Sequence, residues 1–198
     1  MNIDTIIYIA IVIYSIILHE IAHGWTAYIF GDNTARDANR LTLNPVPHLD
    51  PIGSILIPVA AVLMGYGVFG WAKGVPINLY NLGSSRLKEF LVSAAGVITN
   101  ILIAIIFLIL IKFGISATHT ELFFKVVVVN IGLAFFNLLP IPPFDGMSIL
   151  RSIFPRLKHK FQSFEHNPAS MIVAILIGSY LFSFIYKDIV NFFVRIFL

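Results

Sequence analysis

The stretch "SIILHEIAHGWTAYIF", Ser15 to Phe30, places His19, Glu20 and His23 in the middle of an apolar run that begins near Ile3. A carboxylate or imidazole in hydrocarbon costs several kcal/mol unless it is paired, solvated or bound to a metal. Those three side chains therefore need a compensating partner inside the membrane. They also stand in the order HExxH. Two histidines at i and i+4 share one helical face within reach of a single ion, and the glutamate beside them can act as a base.

The rest of the chain agrees with a membrane setting. Of its 198 residues 58% are hydrophobic and 12% charged, and the mean hydropathy of +0.90 lies outside the range of soluble domains. This composition predicts an all-α polytopic membrane protein with about four transmembrane helices, forming one domain over residues 1–198. The net charge of +3 carries no dense basic block, so no nucleic acid is expected as a partner. Without cysteine there is no thiolate metal site, cysteine nucleophile or disulfide. The N-terminus lacks the positive n-region of a signal peptide, and its apolar run is expected to stay as a working helix.

Hydropathy and stop signals predict helices at about Ile3 to Phe30, Glu89 to Lys112, Glu121 to Leu139, and about 170–196 at the C-terminus. The apolar stretch Ile52 to Trp71 is broken by Gly53, Pro58, Gly65, Gly67 and Gly70, and hydropathy alone does not decide whether it crosses. After it, "VPIN" in the loop "AKGVPINLYNLGSSR" is expected to form a short strand.

A catalytic zinc site needs a third protein ligand besides the two histidines. Asp145 stands out, in "NLLPIPPFDG" directly after a membrane span, where three prolines preclude a helix and present the carboxylate on extended backbone. Asp50 and Glu89 are the acids to test next. A polar cluster of this kind also serves ion or small-solute transport, the alternative to hydrolysis.

HExxH in an early helix together with Asn137, Pro140, Pro142, Asp145 and Gly146 in the pattern N-x-x-P-x-P-x-x-D-G resembles the site-2 protease family of intramembrane zinc metalloproteases. "SAAGVITN", ending at Asn100, resembles that family's small-residue and asparagine signature; the family usually has proline after this glycine, and here Val97 stands there. "LTLNPVPHLDPIGSILIP" and "GWAKGVPIN" are similar to its short bacterial and archaeal branch. The resemblance covers about residues 5–150 and implies a minimal core without PDZ or CBS domains. It implies one Zn2+ per chain on His19, His23 and Asp145, with Glu20 as catalytic base. Asn137 and Asn100 are expected to contact substrate or a developing oxyanion. His48 is expected to be a loop residue near the site, and Ser93 to Gly96 to permit close helix approach. The implied partners are the lipid bilayer and membrane-protein substrates with transmembrane segments.

Sharing one ion among His19, His23 and Asp145 requires the first helix and the span before Asp145 to run parallel. Residues 52–71 must then be re-entrant or interfacial. That topology puts Arg36, Arg40, Lys73, Arg86, Lys88, Arg151, Arg156, Lys158 and Lys160 on one side, against Lys112, Lys125, Lys187 and Arg195. Positive loops stay cytoplasmic, so the metal-bearing ends are expected to face the cytoplasm of a prokaryotic cell membrane.

Overall fold

A computed structural model describes residues 3–57, 71–115, 117–157 and 168–198. Among these, six α-helices occur: α1 (Ile3–Ile29), α2 (Thr34–Asp37), α3 (Arg86–Lys112), α4 (Thr120–Asn137), α5 (Asp145–Ile153) and α6 (Pro168–Phe197). Four of them, α1, α3, α4 and α6, are long and apolar enough to cross a bilayer. The fold is all-helical and polytopic, as the composition predicts.

Helix α1 inverts the soluble pattern. On α1 the residues Ser15, His19, His23 and Ala27, spaced four apart, are buried, while Ile6, Ile13, Leu18 and Ile29 face outward. Polar and small groups therefore line the inside and apolar ones meet lipid. α3 is the central helix, in contact with the other three spans and with α5. Ser85 caps it, accepting from the Lys88 N–H. The helix continues unbroken through Val97, which is buried, so the family's usual proline is not needed to complete the packing. At the far end Ala104 and Leu108 of α3 pack with Val127 and Ile131 of α4 and Phe193 of α6.

Hydrogen bonds fix the helix directions. Along α1, Ser15 meets Asn130 of α4 and His23 meets Asp145 just beyond it, so α1 and α4 run parallel. His19 meets Asn100 and His23 meets Val92, in reverse order, so α3 runs antiparallel to α1.

Residues 58–70 lie outside the described residues, and with them the glycines at which the apolar segment is expected to turn. Its two ends are described, and they meet. The Trp71 N–H donates to the Gly53 carbonyl at 3.0 Å, and the Ser54 hydroxyl donates to the Trp71 carbonyl at 2.8 Å. Any Cβ on residue 53 would stand 2.3 Å from the Trp71 ring, so glycine is required there. A single crossing would separate these ends by about 30 Å.

The expected strand at "VPIN" is a correction, since no strand occurs among the described residues. Residues 71–78 are extended, but their donors are spent on other elements, those of Trp71 and Lys73 on the Gly53 and His48 carbonyls and two more on carboxylates. The Val75 N–H goes to Glu20 Oε2 at 2.8 Å, the Asn78 N–H goes to Asp32 Oδ2 at 2.7 Å, and Pro76 has none.

Candidate metal centre

The stripe on α1 points His19 and His23 toward the first residue of α5. His19 Nε2 lies 3.1 Å and His23 Nε2 3.2 Å from Asp145 Oδ2, and the two Nε2 atoms are 3.1 Å apart. Both imidazoles are buried. Their other nitrogens are engaged with α3: His19 Nδ1–H donates to Asn100 Oδ1 at 2.9 Å, and His23 Nδ1–H donates to the Val92 carbonyl at 2.7 Å. A carbonyl can only accept, so the proton of neutral His23 belongs on Nδ1 and its Nε2 presents a lone pair.

Two imidazole lone pairs and a carboxylate oxygen thus converge on one point, three acceptors that repel each other unless a cation lies among them. Tetrahedral zinc holds nitrogen and oxygen ligands at about 2.0–2.2 Å, which spaces such atoms roughly 3.3–3.5 Å apart. The observed triangle is slightly tighter, and the donor set fits the metal. Among the described residues this is the group of three or more His and acidic side chains that could share an ion. Of the alternative acids, Asp50 accepts from the Ile52 and Gly53 N–H groups, and Glu89 sits in the wall of the adjoining cavity.

The extended segment expected before Asp145 is instead a run of tight turns, with the Ile141 N–H on the Leu139 carbonyl and the Phe144 N–H on the Ile141 carbonyl, and Asp145 is the first residue of α5. A Cβ on Gly146 would stand 2.2 Å from the Leu138 carbonyl oxygen, so the glycine of the D-G pair is what lets the turn close. Gly96 meets an equally tight demand on α3. Its Cβ would lie 2.4 Å from His23 Nε2 and 2.5 Å from His19 Nε2. Val92, Gly96 and Asn100, four residues apart, form one stripe that takes His23 on a carbonyl and His19 on an amide, with bare backbone between. The close-approach role expected for "SAAG" is therefore specific to these two rings. The i, i+4, i+8 spacing was the signal that could have identified it.

Glu20 is half-buried beside the histidines and faces a cavity of about 930 Å³ that it shares with His23, Asp145, Val75, Ile77 and Ser93. Asn100 is fully buried against His19 and does not border that cavity. Asn137 is not brought to the ligands either: its amide donates to the Leu133 carbonyl one turn back. His48 is buried as a strut, with Nε2–H donating to the Thr42 carbonyl and its own carbonyl accepting from Lys73.

The family model for peptidase family M50 matches residues 114–181, which include Asp145 but not the HExxH segment. YwhC of Bacillus subtilis (strain 168), which bears the provisional name of a zinc metalloprotease, is 42% identical over 153 residues, 72% of this chain and 67% of that protein. Rip2 of Mycolicibacterium smegmatis, named in the same way, is 31% identical over 139 residues, 69% of this chain and 52% of its own length. Rip2 of Mycobacterium tuberculosis (strain Erdman) is 28% identical over 151 residues, 75% of this chain and 56% of its own. The chain thus spans about two thirds of YwhC and just over half of the Rip2 proteins. No solved structure matches it.

Proposed function

The chain belongs to peptidase family M50, the family of the site-2 proteases, and we propose that it is a zinc endopeptidase that cuts transmembrane or membrane-adjacent segments of other membrane proteins. The observation that carries this proposal is the convergence of His19, His23 and Asp145 beside Glu20 at the wall of a cavity within a bundle of membrane-spanning helices. One zinc per chain would be held by those three side chains. When bound, the metal supplies a Lewis acid that makes water nucleophilic near neutral pH.

Glu20 Oε2 accepts the Val75 N–H, which fixes the carboxylate and leaves Oε1 to take a proton from the attacking water and pass it to the leaving amine. A helical substrate has its backbone groups already paired and must open locally before attack. Val75 and Ile77 of the extended residues 71–78 line the cavity beside Glu20, in which an opened segment would lie. The lysine and arginine distribution supports a cytoplasmic position for the site in a prokaryotic membrane.

The test compares wild type with Glu20→Gln. Zinc per chain should be the same in both, because the base does not ligate, while membrane-protein fragments seen in wild-type cells should vanish in the variant. An active wild type without zinc, or cleavage surviving in Glu20→Gln, would end the proposal.

A further inference from the structure

Glu20 is not the only carboxylate that accepts from the 71–82 loop. Asp32, just past the end of α1, is 1% exposed, and its two oxygens are saturated by donors. Oδ2 accepts from the Asn78 N–H at 2.7 Å; Oδ1 accepts from Asn81 Nδ2 at 2.7 Å, from the Thr34 N–H at 3.1 Å and from the Thr34 hydroxyl. The Asn78 side chain in turn accepts from the Tyr80 N–H. Burial pushes the Asp32 carboxyl up, but the bonds from Thr34, Asn81 and Asn78 outweigh it and hold the group below the usual carboxylate range. So buried a charge with so many donors marks a fixed joint.

We infer that Asp32 is a positioning residue for the active site: it anchors Val75–Asn78 at the far end, and through that segment it holds the Val75 N–H on Glu20. Val75, Ile77, Leu79 and Tyr80 all line the cavity that contains Glu20, His23 and Asp145, so the joint at Asp32 sets one wall of that cavity as well as the orientation of the base. Asp32 touches none of the reacting groups. The catalytic consequence rests on the endopeptidase proposal; the structural one does not.

The test uses the full chain in detergent micelles, with amide hydrogen exchange, zinc content and cleavage of pooled apolar fluorogenic peptides measured together. In Asp32→Asn, exchange should rise about tenfold to hundredfold at Asn78 and also at Val75, whose acceptor is Glu20. α1, α3 and zinc per chain should be unchanged. The cleavage rate per bound zinc should fall about tenfold or more. Asn81→Ala, which removes one donor from the opposite side of the joint, should show the same pattern more weakly and serves if Asp32→Asn does not fold. If Val75 stays protected while only Asn78 and Asn81 loosen, or if kcat per bound zinc is that of wild type, the inference is overturned. If wild type cleaves none of the peptides, the endopeptidase proposal suffers, and exchange at Val75 still decides the role of Asp32.

Discussion

Replacing Gly96 with alanine sets a gain in helix propensity against the metal site. In the interior of α3, glycine to alanine favours the helix by about 1 kcal/mol. Against this, the new methyl would lie 2.4 and 2.5 Å from the Nε2 atoms of His23 and His19, whereas side-chain carbons do not approach closer than about 3.0 Å. The rings or the helix must retreat by at least 0.5 Å, more than twice the roughly 0.2 Å over which metal–ligand distances stay serviceable. Overpacking of this size costs about 1–3 kcal/mol, offset in part by the propensity gain, so the protein should still fold. Zinc affinity should fall by at least the 10–100-fold that follows loss of a ligand's supporting contact. The assay is zinc titration against a competing chelator, with circular dichroism to show retained helix. Ala95→Gly, one residue away and off the stripe, is the control that keeps zinc. Wild-type zinc affinity in Gly96→Ala would refute the reasoning.

Asp145→Asn should weaken zinc binding and abolish cleavage with the helices intact; unchanged affinity in a zinc titration would remove Asp145 and bring Asp50 and Glu89 forward. Asn100→Leu leaves His19 Nδ1 without its acceptor and should cost about 10–100-fold in zinc affinity, read in the same titration. Because the folded pKa of Asp32 is lowered, its contribution to stability is complete above the ordinary carboxylate value near 4 and is lost as pH falls through the lower folded value. Exchange in residues 75–82 should accelerate over that acid interval in wild type and lose this dependence in Asp32→Asn. Single cysteines at Lys73 and Arg156, in a chain otherwise without cysteine, should be labelled from the same membrane face; labelling from opposite faces would contradict the topology.

Much of this architecture was legible because hydropathy dictates it. The predicted span ends lie within two residues of the helix ends, except that α3 begins three residues earlier than predicted, at Arg86. HExxH and the D-G turn were visible because each is a local pattern. What escaped was long-range: that Asn100 serves His19 and not the cavity depends on α3 running antiparallel to α1, and that "VPIN" forgoes a strand depends on two carboxylates twelve residues apart, one on α1 and one just past its end. Asp32 belongs to no pattern that local spacing picks out. Its role emerges only when residues 32, 34, 78 and 81 are brought to one place.

The closure of Gly53 on Trp71 makes the intervening stretch an excursion that leaves and returns at one point. Chain entropy charges little for lengthening such a loop, about 0.6 kcal/mol for each doubling. A change of chain length between these two residues can therefore occur without moving Lys73 to Asn78. The clasp thereby uncouples the length of chain between Gly53 and Trp71 from the placing of the Val75 N–H on Glu20.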